Sequence, residues 1–255
     1  MTYRRYVAIG DSFTEGVGDP DPTRPNGWRG WADRFAEALA VAAGPDFGYA
    51  NLAIRGRKLP AIVDEQVEPA LALKPDLVTI HGGGNDVLRP RVDMDGLAAK
   101  YEDAVGRLVG GGAHVVMFTI ADPGPNSMMS LIRGRMAIFN EWVREIADRH
   151  DATVVDLWRM HGWKPAEILD EDRLHLNAVG HQGIAIAVLD ALGLEHDLVP
   201  LVPDVTPLLS KAEQRRADLD WARTHLVPWV GRRVAGRSSG DGVSPKRPAL
   251  APISP

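Results

Sequence analysis

The chain contains no cysteine. Disulfide staples, thiolate metal sites and a cysteine nucleophile are excluded together. It also lacks long apolar runs, and no stretch approaches the ~20 residues of a membrane-spanning helix. Behind Arg4 and Arg5 only Tyr6-Val7-Ala8-Ile9 is apolar before Gly10-Asp11. A secretory leader needs an apolar region of ~7–15 residues, so the expected location is cytoplasmic. Nor is there an excess of basic charge. The 29 Lys and Arg against 34 Asp and Glu leave a formal net charge of −5, which gives nucleic acid no purchase as a partner. Low-complexity repeats are missing from the body of the chain.

What is present suffices for one core: 45% of the 255 residues are apolar. Short apolar runs at 6–9, 47–52, 76–81, 114–120 and 153–157 read as strands. Helical spacing of apolar residues covers about 28–43, 59–73, 94–109, 131–149 and 178–192. Strand and helix alternate five times. That predicts a three-layer α/β/α domain over 1–195 with parallel strands; both common doubly wound orders are open, and five strands favour the flavodoxin-like order 2-1-3-4-5. Pro200, Pro203 and Pro207 mark a linker, and Ser210 with Glu213 reads as a capping box starting a helix of about 211–226. Residues 196–234 are then a C-terminal linker and helix, and 235–255 a disordered Gly, Ser, Pro and Arg tail.

Doubly wound sheets bind ligands at the carboxyl ends of their strands. Ser12 follows the first strand, Gly56 the second and Asn85 the third. In the order 2-1-3 these three loops are neighbours with Ser12 central. Ser12 is thus either a turn residue or a nucleophile beside two candidate oxyanion donors, the Gly56 N–H and the Asn85 amide. A base must come from elsewhere. His175 follows Asp172 by three residues, a spacing that lets the acid fold back onto one ring nitrogen; alternatively it is a surface histidine at a helix start. His81 is expected to pack against the site. His181 invites a metal reading, but no third ligand has fitting spacing, so neither metal nor other cofactor is expected. Asp156 reads as a strand-end residue that satisfies loop amides. The segment Gly236-Arg237-Ser238-Ser239-Gly240 matches a G-x-S-x-G elbow letter for letter. It has no strand before it and no histidine after it, and is set aside as coincidence.

Taken together, these residues resemble the SGNH, or GDSL, hydrolase family. Gly10-Asp11-Ser12 resembles its first block, with Phe13 where the literal motif has Leu. Asn51 to Gly56 resembles the second, Gly83-Gly84-Asn85-Asp86 the third, and Asp172-Arg173-Leu174-His175 the last. The resemblance covers about residues 5–193. It implies a catalytic triad of Ser12, His175 and Asp172, and an oxyanion hole of Ser12, Gly56 and Asn85. It implies ester hydrolysis through an acyl-enzyme on a small-molecule substrate, with no cofactor. Short acyl chains are expected; lysophospholipid and thioester hydrolysis are the alternatives. Pro125 to Met129 with Trp158, Met160 and Trp163 either wall an acyl pocket or cap the core. Two other classes stay open: a flavodoxin-like binding module without catalysis, and an interaction protein working through its C-terminal helix and basic tail.

Overall fold

The computed structural model of the chain describes residues 2–125, 127, 129–204 and 210–254, without the side chains of Arg233 and Val234. Asn126, Met128 and Pro207, named above, lie outside the described residues. The first strand, β1 (Arg5–Ile9), leads into a single helical turn, α1 (Ser12–Glu15). Then come α2 (Gly30–Ala43), β2 (Gly48–Asn51), and α3 (Leu59–Ile62), which continues through a π-turn at Val63–Val67 into α4 (Glu68–Ala72). Next are β3 (Leu77–Ile80), α5 (Gly84–Val87), α6 (Met94–Gly110), β4 (His114–Phe118), α7 (Arg133–His150) and β5 (Thr153–Val155). The domain continues with α8 (Pro165–Ile168) and α9 (Ala178–Ala191). A C-terminal segment adds α10 (Lys211–Trp221), a π-turn at Ala222–Leu226, α11 (Val227–Val234) and β6 (Arg247–Ala251).

The sheet order is β5-β4-β3-β1-β2-β6. Strands β1 to β5 are parallel and take the expected 2-1-3-4-5 order. Alternation along each strand divides the core in two. Val7 and Ile9 of β1, Val78 and Ile80 of β3, and Val115 and Met117 of β4 face one layer, packed by α3, α4, α6 and α7. Tyr6 and Ala8, Leu77, and Val116 and Phe118 face the other, packed by α2 and α9. Both faces of the strands are covered, which is why these strands read as continuous apolar runs.

The sixth strand corrects the sequence reading. Residues 247–251 lie antiparallel to β2, with Tyr49 opposite Ala251 and Asn51 opposite Arg247, instead of forming a disordered tail. The strand is short, sits at the sheet edge and carries Pro248, where a missing N–H costs no ladder bond. Its anchor is Lys246. That side chain is fully buried, pairs with buried Asp33 at 2.9 Å and donates to the carbonyls of Trp28 and Arg29. The capping box at Ser210 is present: its hydroxyl accepts from the Glu213 N–H, and the Glu213 carboxylate accepts from the Ser210 N–H. No helix among the described residues is long and apolar enough to cross a membrane.

Candidate active site

The Ser12 loop is fixed from below. Gly10 exchanges two hydrogen bonds with the buried Gln66 side chain, donating to Oε1 at 2.7 Å and accepting from Nε2 at 2.9 Å. The Asp11 carboxylate caps α1 by accepting from the Phe13 N–H at 3.1 Å. Ser12 therefore starts the turn in a set position, partly open to solvent. Phe13 tilts onto the His81 ring at a centroid distance of 4.5 Å, so His81 packs the site as expected.

Gly56 and Asn85 join this loop through long-range bonds that the sequence does not advertise. Glu15, wholly buried, accepts from the Arg55 N–H at 2.7 Å and from its guanidinium at 2.5 Å. That pair ties the Gly56 loop to α1. Gly56 has φ +73°, a left-handed conformation that favours glycine, and a Cβ there would fall 2.4 Å from the Ser238 Oγ. Asn51, at the end of β2, donates to the Thr14 carbonyl at 2.9 Å. The Asn85 amide donates to the Arg57 carbonyl at 3.0 Å and to Asp11 Oδ2 at 3.3 Å. The second contact is long and weak, which leaves that hydrogen free to turn to a better acceptor. Asp86 accepts from the Leu59 N–H at 2.8 Å; burial pushes its carboxyl up to about 6. Three strand-end loops thus form one cluster, bound to one another rather than merely adjacent.

Asp172 and His175 lie on the segment between α8 and α9. Asp172 Oδ2 is 2.5 Å from His175 Nδ1, while Oδ1 accepts from the N–H groups of Leu174 and His175, each at 2.9 Å. Burial alone would raise the Asp172 carboxyl. The hydrogen bond and charge of His175, with those two N–H groups, outweigh it and hold the carboxyl well below the usual carboxylate range. Immediately after, Asn177 caps α9 by accepting from the Gly180 N–H, so the helix start fixes the far side of the turn. The turn abuts the Ser12 loop at Gly18, where a Cβ would fall 2.1 Å from the Leu176 carbonyl and 3.1 Å from the His175 Cβ. Among the described residues no hydrogen bond joins the Ser12 hydroxyl to His175.

His181 is no ligand. Its Nδ1 accepts from the Trp31 N–H at 3.1 Å, its Nε2–H donates to the Val17 carbonyl at 3.2 Å, and burial lowers its pKa to about 4. Asp156 pairs with Arg144 and with the Thr119 hydroxyl, each at 3.0 Å, instead of with loop amides. Met160 and Trp163 pack with the α2–α9 layer, Trp163 closing on Gly183 of α9. Gly236 to Gly240 forms a turn between α11 and β6, Ser238 Oγ accepting from the Gly240 N–H. Sequence reasoning missed Glu15, Arg55 and Gln66. Each is a polar residue in an unremarkable context whose partner is distant in the chain, so no local pattern marks it.

Known structures share this fold. The chain superposes on LAE5, an alpha/beta hydrolase enzyme from the metagenome of Lake Arreo, Spain, with a TM-score of 0.63 and 25% identity, covering 74% of this chain and 95% of that one. Axe2, an acetylxylan esterase from Geobacillus stearothermophilus, gives 0.61 and 22% over 76% and 98%. The psychrotrophic esterase EstA from Pseudoalteromonas sp. gives 0.57 and 17% over 74% and 96%. No curated protein matches the chain in sequence. A family model does, over residues 8–182, a span that holds all four blocks read above. With that match, which spans the strand-end loops, the chain belongs to the GDSL-like lipase/acylhydrolase family, whose enzymes act on ester bonds.

Proposed function

We propose that this protein is a serine esterase working through an acyl-enzyme on small or short-chain acyl esters. The observation that carries the reading is the Asp172–His175 pair at 2.5 Å, on a turn abutting the loop that Ser12 begins. Asp172 accepts from His175 Nδ1–H, which leaves Nε2 as the basic nitrogen. His175 takes the proton of Ser12 as the hydroxyl attacks the ester carbonyl. The N–H groups of Ser12 and Gly56 and the amide of Asn85, turned from Asp11, receive the developing oxyanion. His175 returns its proton to the leaving alcohol, and water repeats the cycle to release the acid. Asp172, held far below neutral pH as a carboxylate, stabilises the imidazolium at both steps.

The similarity of fold to Axe2, an acetylxylan esterase, supports short acyl groups, acetyl first. The test is a panel of p-nitrophenyl esters from acetate to decanoate, with acetylated xylo-oligosaccharides, and Ser12→Ala as control. We expect acetate to be turned over fastest and the control to be inactive. Activity near wild type in Ser12→Ala would sink the nucleophile, and a preference for decanoate would sink the short-chain reading.

A further inference from the structure

The C-terminal segment lies outside residues 8–182, yet it touches both sides of the site. Arg173 stands between Asp172 and His175 in the chain, at φ +56°, a left-handed conformation that a non-glycine residue keeps only when its surroundings enforce it. Its N–H donates to the Asp170 carbonyl at 2.9 Å. Its side chain leaves the turn outward and is gripped by α10. The guanidinium donates to Asp218 Oδ1 at 2.7 Å and lies 4.9 Å from the centre of the Trp221 ring. Asp218 is pre-aimed by a hydrogen bond from Gln214 at 3.0 Å. At its other end the same segment sets Ser238 and Ser239 against Gly56, then inserts Lys246 beside Asp33. Helix α10 is thus tethered to the body of the protein.

We propose that Asp218 and Trp221 act through Arg173 as positioning residues, holding the Asp172–His175 turn in its working geometry from outside. This rests on reading Asp172 and His175 as the acid–base pair. The Arg173 side chain is engaged by α10, so the grip acts on the orientation of His175 and not on the affinity for substrate. Both contacts are partly solvated, and each is the kind that contributes modestly. Losing one should therefore lower kcat by about three- to tenfold and leave KM within about twofold.

The experiment compares wild type with Asp218→Ala, Trp221→Ala and Arg173→Gln, and with Asp218→Glu as the conservative rescue. Kinetics are run on p-nitrophenyl acetate. The downfield proton resonance of His175 Nδ1–H, assigned by its loss in His175→Gln, is followed in the same proteins. We expect the three disruptive variants to fold, to lose kcat without KM, and to show a broadened resonance as solvent exchange quickens. Asp218→Glu should recover both. Wild-type kcat with a sharp resonance in the folded variants overturns the proposal. So does a rise in KM alone, because the segment would then act on substrate. If the wild-type protein hydrolyses no ester, the functional reading fails, and the resonance still decides whether α10 holds the turn.

Discussion

The two halves of the site are held by different physics. The loops after β1, β2 and β3 are locked by buried polar groups: Gln66 on Gly10, Glu15 on Arg55, Asp11 between Phe13 and Asn85. The Asp172–His175 turn carries half-open side chains, 24% and 23% exposed, and is held by bonds within itself, by the cap of α9 and by α10. Buried bonds left unmade are expensive, whereas exposed ones are readily replaced by water. Ser12, Gly56 and Asn85 therefore share the stability of the sheet, while the Asp172–His175 turn can be altered with little cost to folding.

The largest expected effect separates chemistry from stability. His175→Ala should cost on the order of 10⁴–10⁶ in turnover, as should Ser12→Ala, because triad members act as a unit. Asp172→Asn should also lose most activity while costing the fold less than removal of the wholly buried Glu15 carboxylate. Steady-state kinetics and urea denaturation on the same samples check both. Glu15→Ala should do the opposite. Removing a wholly buried carboxylate that holds Arg55 should destabilise the protein by about 3 kcal/mol, with a lesser loss of turnover as the Gly56 loop loosens. A stable Glu15→Ala protein would break the comparison.

That contrast also explains what was legible in the sequence. Ser12 and Asn85 sit in short motifs at strand ends and Asp172 with His175 in one between α8 and α9, and the strand order follows from hydrophobic periodicity, the right-handed crossover and the count of five strands, which favours the flavodoxin-like order. Chemistry carried by neighbours in sequence is readable. The supports were not. Glu15 and Arg55 are 40 residues apart, Gln66 and Gly10 are 56 apart, and nothing local distinguishes them from solvated side chains. Strand β6 was missed because Arg-Pro-Ala-Leu-Ala has little strand propensity and a proline; it forms because Lys246 finds Asp33 in the interior. The same long-range origin hid the meeting of Arg173 with Asp218.

Asn85 tests the locked side at smaller scale. Asn85→Ala removes one donor to the oxyanion and should lower kcat by roughly 10²–10³ with KM little changed. Its bonds to Arg57 and Asp11 are partly open, so the loss of folding stability should be smaller than for Glu15→Ala, as paired denaturation curves would show.

The smallest effect uses pH to address one half alone. His181 anchors the carbonyl of Val17, which follows the turn that Ser12 begins, and its folded pKa is lowered to about 4 by burial against an ordinary 6.5. Protonation would put a second donor opposite the Trp31 N–H. Between those values the unfolded chain binds the proton and the folded one does not, so this contribution is complete above pH 6.5 and is lost as pH falls toward 4. Asp172 behaves differently: its folded pKa is depressed, so its contribution is lost only as pH falls below its ordinary value of 3.8. Asp86, raised to about 6, works against His181, but it is common to both proteins in a comparison of wild type with His181→Gln. The gap in unfolding free energy between the two should narrow by at most about 3 kcal/mol as pH falls from 6.5 to 4. A gap that stays constant would mean that His181 does not hold the Ser12 loop as a neutral ring, and the locked half would have to rest on Gln66 and Glu15 alone.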